Sequence, residues 1–169
     1  MFERTLSWEE LPRNFRRLLA EAEKAMAKAY CPYTGFAVGA AILTRGGKIF
    51  PGSNYEFSVP RDSICAEKVA LSTANTQGYG KEIRAIALIA RSRDSPTREV
   101  TAPCGSCRQM LFEAAQVADY DLEVIMATTL RDKIVITKIS ELLPFAFGPG
   151  NLGGGEDEDR PDLALVKAS

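Results

Sequence analysis

The run IRAIALIARS, residues 83–92, is apolar but for Arg84 and its last two residues. A strand with one wet face alternates polar and apolar residues, whereas an unbroken apolar strand is buried on both faces. Such a strand needs a layer above it and a layer below it. The chain supplies both as helices. Residues 7–30 carry Trp8, Leu11, Phe15, Leu18, Leu19, Ala22 and Met26 at helical spacing, and Ser7 followed by Glu10 is a capping-box pattern for the helix start. A second helix is predicted from Ser63 to about Gln77, where TQGYG ends it, and a third from near Cys104 to about Val117. FAVGAAILT and KIFPGSNYE flank RGG as a hairpin, and LEVIMATT and KIVITKI form two more strands around a short polar turn. The order α-β-β-α-β-α-β-β has no repeat. It predicts an α/β fold with three α/β/α layers: a mixed five-stranded sheet with helices on both faces, in part parallel through right-handed crossovers.

At 169 residues the chain is one domain with room for a core. That domain is expected over 1–152; the Gly-rich, acidic segment 153–169 is expected to be a disordered tail without catalytic duty. A net charge of −1 argues against nucleic acid or an anionic membrane as partner, and no stretch is apolar enough to span a bilayer. The mixed-charge start MFERTLSWEELPRNFRR does not read as a signal peptide, so a cytoplasmic, reducing location is expected, with the four cysteines as thiols. The absence of histidine is decisive for chemistry. It removes Ser-His-Asp and Cys-His catalysis, histidine bases and histidine metal ligands. Proton transfer near neutral pH is left to a perturbed carboxylate, a lysine, a thiol or a metal-activated water.

The cysteines are placed where thiolates are stable. Cys65, in ICAEK, and the pair Cys104 and Cys107, in APCGSCRQM, each stand at a predicted helix N-terminus. The positive helix end and its free N–H groups favour thiolates, and zinc needs thiolates. Three protein ligands leave one tetrahedral position for water, as in a catalytic zinc site, and Glu67 is close enough to reach that water without being a ligand. Plainer readings stand beside this one. The CxxC can be a redox pair, Cys31 can close an all-thiolate structural site, and an acid in a first turn can merely complement the helix dipole. A redox pair leaves CAE unexplained, and CAE alone leaves PCGSCRQ unexplained.

Together, CPYTGFAVGAAILT, GSNYE, ICAEK, APCGSCRQML and SELLPFAFGPGNL resemble the small homotetrameric zinc-dependent cytidine deaminases in order and spacing, from Trp8 to Leu152. The resemblance implies hydrolytic deamination of cytidine or deoxycytidine to the uridine product. It implies one Zn2+ per subunit on Cys65, Cys104 and Cys107, with Glu67 as the proton shuttle. It makes Phe36 the aromatic on the base, and Asn54 and Glu56 the pair on the ribose hydroxyl. Ala66, between ligand and shuttle, counts as substrate-binding. Phe147 is the aromatic that reaches a neighbouring subunit's site, so a homotetramer with shared active sites is implied. Taken outside the family, Phe36 reads as core, Asn54 and Glu56 as turn and edge-strand residues, and Phe147 as a hydrophobic cap; Cys31 is expected to be a small buried apolar residue.

Two departures from the family pattern matter. The arginine that commonly follows CAE and hydrogen-bonds the sulfurs is here Lys68, which lacks the guanidinium fork. Arg108 and the helix ends are therefore expected to carry more of the charge balance. The loop between the ribose pair and CAE is also rewritten, as FSVPRDS with Phe57, Ser58, Pro60, Arg61 and Asp62. That opens an alternative, hydrolysis of N4-substituted or otherwise modified cytidines at the same site. A zinc-stabilised, non-catalytic binding protein is the rival from another class. Neutral charge and the lack of a basic, aromatic-rich track argue against deamination within a polynucleotide.

Overall fold

The apolar run is the central strand of the sheet. The structure, a computed structural model, describes residues 4–93 and 95–152; the expected tail at 153–169 lies outside them. Strand β4 (Ile83–Ser92) lies between β2 (Phe36–Thr44), antiparallel to it, and β6 (Glu123–Ala127), parallel to it. Beyond β2 lies β3 (Ile49–Ser53), and beyond β6 lie β7 (Ile134–Lys138) and β1 (Arg4–Leu6), giving the order β1-β7-β6-β4-β2-β3. A two-residue strand β5 (Ser95–Pro96) pairs with the end of β4.

Successive side chains of a strand point to opposite faces. Ala85, Ala87 and Ile89 thus join Ala41, Leu43, Ile125 and Ala127 in a core with Phe15, Leu18, Leu19 and Ala22 of helix α1 (Arg13–Met26). On the other face, Ile86 and Leu88 join Ala40, Ile42, Val124 and Met126 in a core with Ala66, Ala70 and Ala74 of α2 (Ala66–Thr76) and Leu111 and Ala115 of α3 (Gly105–Val117). Three layers follow from one two-sided strand, as expected.

The sheet is mixed as expected, with β4 and β6 the parallel pair and the other strand pairs antiparallel. Three details correct the expectation. The sheet has seven strands among the described residues, not five; β1 and β5 are too short to carry a period of their own. The first helix is shorter than 7–30. Ser7 and Glu10 do make the reciprocal capping bonds, at 2.8 and 3.4 Å, but they close a turn ahead of extended Pro12, after which α1 begins. The second helix starts at Ala66 rather than Ser63, because Ile64 is paired to Tyr55 in a bridge. A one-turn helix α4 (Ile139–Leu142) and two 3-10 turns, at Pro60–Asp62 and Pro149–Leu152, complete the description.

Candidate metal and proton-transfer site

β3 and β4 both run antiparallel to β2, so they share a direction and finish at the same end of the sheet. Each is followed by a loop and a helix, and the N-termini of α2 and α3 are therefore brought to that end. The approach is close. A side chain on Gly52 would place its Cβ 2.6 Å from the Ala66 carbonyl oxygen, so α2 rests on β3 backbone to backbone.

Cys65 is the N-cap of α2 and Cys104 the N-cap of α3, both with extended backbone, while Cys107 sits in the first turn of α3, fully buried. Their three sulfurs all lie within 4.8 Å of one another. Sulfurs at about 2.3 Å from a tetrahedral zinc stand about 3.8 Å apart, so the cluster needs only a small inward adjustment to hold the ion. The donor set fits as well, since three thiolates suit a soft or borderline cation such as zinc. Cys31 is only half buried and is not one of the three, which leaves a three-cysteine cluster among the described residues.

Electrostatics here are those of a crowded site that runs from exposed Cys104 through half-buried Cys65 to buried Cys107. Burial, and then the Glu67 carboxylate, push the thiols of Cys65 and Cys107 up. Burial also pushes at Cys104, but the Cys107 N–H and the neighbouring thiols outweigh it and leave Cys104 below the ordinary thiol value. A bound cation favours the deprotonated form of all three, so loading releases protons. Glu67, in the first turn of α2, is 5% exposed. Burial raises its carboxyl above the ordinary value, against its own N–H, the Cys107 thiol and the charge of Lys68. A carboxyl shifted upward takes up a proton more readily than an exposed one, the direction that suits proton exchange. Ala66, between Cys65 and Glu67, is fully buried.

The remaining expected residues form a second group at the start of β2. The Asn54 amide bridges that strand: its Nδ2 donates to the Phe36 carbonyl at 2.9 Å, and its Oδ1 accepts from the Val38 N–H at 2.8 Å. Glu56 accepts from the N–H groups of Tyr33 and Thr34, at 2.9 and 3.2 Å, and from the Thr34 hydroxyl at 2.5 Å. That hydroxyl bond, those amides and the charge of Arg93 hold the Glu56 carboxyl below its ordinary value, although burial opposes them. Thr34 and Arg93 went unrecognised in the sequence. The first had a signal in hindsight, a hydroxyl in the CPYTG turn; Arg93 follows the end of β4, 37 positions beyond Glu56 by residue number, and had none.

Phe147 stands on the closing segment, 59% exposed. The Arg108 guanidinium, expected to balance the thiolates, donates through Nε to the Pro103 carbonyl at 2.8 Å and through Nη1 to the Leu142 carbonyl at 3.1 Å. The rewritten loop contributes nothing to the core. Phe57 and Val59 are exposed, the Arg61–Asp62 pair is solvated, and the loop is held at its ends by the Tyr55–Ile64 bridge and a 3.1 Å bond from the Phe57 N–H to Ser63 Oγ.

Comparison with known proteins agrees with this arrangement. Residues 12–120 match the family model described as the cytidine and deoxycytidylate deaminase zinc-binding region. The chain is 36% identical over 136 residues to a cytidine deaminase of Sporosarcina psychrophila, covering 80% of this chain and 93% of that one. It is 38% identical over 130 residues to a cytidine deaminase of Halalkalibacterium halodurans, covering 77% and 91%. The crystal structure of cytidine deaminase from Burkholderia pseudomallei superposes with a TM-score of 0.70 at 37% identity, over 81% of this chain and all of that one.

Proposed function

The chain belongs to the cytidine and deoxycytidylate deaminase zinc-binding family, and from that membership we propose that it deaminates free cytidine and deoxycytidine hydrolytically. The observation that carries this is the cluster itself: three sulfurs within 4.8 Å at two converging helix starts, with a buried acid one turn along. Cys65, Cys104 and Cys107 would hold one Zn2+ per chain, and the ion would supply the activation of water as nucleophile. Glu67 would carry the two protons of the added water in turn, the first to N3 of the pyrimidine and the second, from the new C4 hydroxyl, to the exocyclic nitrogen, so that the C–N bond breaks, ammonia leaves and the uridine carbonyl remains. Phe36 packs on the base. Asn54 and Glu56 present oxygens already oriented by the β2 backbone and the 33–34 turn, and a ribose hydroxyl is the group they suit.

We read the protein as a cytoplasmic homotetramer with shared sites, in which Phe147 serves a neighbouring copy. The exposed aromatic row Tyr30–Tyr55–Phe57, with ring centroids 4.8 and 5.0 Å apart, supports a surface that a second copy covers. Among the described residues no helix is long and apolar enough to cross a membrane.

Hydrolysis of N4-substituted cytidines at the same site is the second reading, favoured by the loosely held 57–63 loop. One preparation decides between them: zinc per chain is measured, then turnover of cytidine, deoxycytidine, free cytosine and N4-substituted cytidines. Deamination of the two plain nucleosides with little action on cytosine is expected. Turnover confined to cytidines without an N4 substituent removes the second reading, and no turnover of any nucleoside by zinc-loaded protein overturns both.

A further inference from the structure

The closing segment is fastened to the helix that carries two of the three cysteines, and the fasteners are the two residues directly after Cys107. Arg108 brackets the cysteine turn. Its backbone N–H bonds the Cys104 carbonyl at 2.9 Å, its Nε bonds the carbonyl just before Cys104, and its Nη1 reaches out to Leu142. Gln109 Nε2 donates to the Phe147 carbonyl at 2.6 Å. Further along the same helix, Phe112 and Gln116 receive Gly148; a Cβ there would lie 3.1 Å from Phe112 Cε1 and closer still to the Gln116 amide oxygen. The backbone of 142–148 is thus laid along α3 by residues 108, 109, 112 and 116, while the Phe147 ring stays outward.

We propose that Arg108 and Gln109 are positioning residues that set the place of Phe147 from the metal-binding helix, with Arg108 acting through its two diverging hydrogen bonds rather than through its charge. The proposal rests on the reading above only in taking Phe147 to touch the nucleoside. The ring projects from a segment with little cover of its own, so its direction depends on how that segment is held. Fixing the segment through the residues after Cys107 gives the ring a set place on its own chain, from which it is presented to a neighbouring copy. Lysine at position 108 keeps the charge, but one ammonium cannot serve carbonyls lying in two directions.

The test uses the full chain, zinc-loaded, as Arg108→Lys, Gln109→Ala, Phe147→Ala and the double variant Gln109→Ala/Phe147→Ala. Hydrogen exchange at 142–148 is read first, because it needs no substrate; it is expected to quicken in Arg108→Lys and Gln109→Ala. KM for cytidine is expected to rise about 3- to 10-fold in Gln109→Ala, the size of one neutral hydrogen bond, with kcat and zinc content held. The double variant is expected to match Phe147→Ala alone, since the bond acts only through that ring. Unchanged exchange overturns the anchoring. Faster exchange with unchanged KM, or additive losses in the double variant, overturns the positioning of Phe147. Wild-type behaviour of Arg108→Lys shows that charge is what matters, against the proposal. An unaltered protein that turns over no nucleoside defeats the functional reading instead, while exchange still decides the anchoring.

Discussion

Glu56 and Glu67 are eleven positions apart in one stretch, yet their surroundings drive their carboxyls in opposite directions. Burial lifts Glu67; the Thr34 hydroxyl, the 33–34 amides and Arg93 lower Glu56. On the proposed function this divergence suits a division of labour, with Glu67 moving protons and Glu56 staying an anion that accepts hydrogen bonds. The Glu56 shift has a consequence for stability. A carboxyl lowered in the folded state stabilises the fold fully above its ordinary value of 4.5, and that contribution is lost as pH falls through the lower folded value. Glu56→Gln is therefore expected to melt below the unaltered protein at about pH 7, with the gap closing as pH falls below 4.5. Melting curves of both proteins across that range check it; a gap independent of pH would contradict it. That CAE and PCGSCRQ stand at helix starts, with their cysteines in one cluster, was legible in the sequence because helix N-termini favour thiolates. Thr34 was not, since its part is to hold Glu56, and nothing local marks a hydroxyl as the partner of an acid 22 positions away.

At the scale of elements, α2 carries one cysteine of the cluster at its N-cap and the buried acid, and its seat is the bare backbone of Gly52. Gly52→Ala must push α2 away from β3, which is expected to cost about 1–3 kcal/mol of stability as overpacking and to weaken zinc retention. Urea unfolding at fixed zinc, together with zinc release to a chelator, measures both; unchanged values would show that α2 is placed by its other contacts. Long elements were legible because their periods repeat: the two-faced strand, the Phe15–Met26 stripe and the third helix all stand where the pattern puts them. Their edges were not. A real capping pair at Ser7 and Glu10 marked a turn instead of the helix, because Pro12 intervenes, and strands of two or three residues have no period to read. Ser63 and Ile64 looked helical until Tyr55, nine residues before Ile64, claimed the latter as a strand partner.

On the scale of the whole molecule, the direction of three strands brings everything together. A sheet buried on both faces fixes which end receives the loops after β3 and β4, and those loops deliver two helix starts, three sulfurs and one buried acid to one place. The fold class was legible from the apolar strand and the element order; the predominance of antiparallel pairing was not, because periodicity says which faces are buried and leaves strand direction open. The central claim is that this converging group is a hydrolytic centre in which Glu67 moves the protons. Ammonia release from cytidine by zinc-loaded Glu67→Gln, beside the unaltered protein and with zinc measured on the same samples, tests it most directly. Turnover is expected to fall by about 10²–10⁴-fold with zinc and fold retained. Turnover at the unaltered rate, on a sample still holding its zinc, would contradict the account.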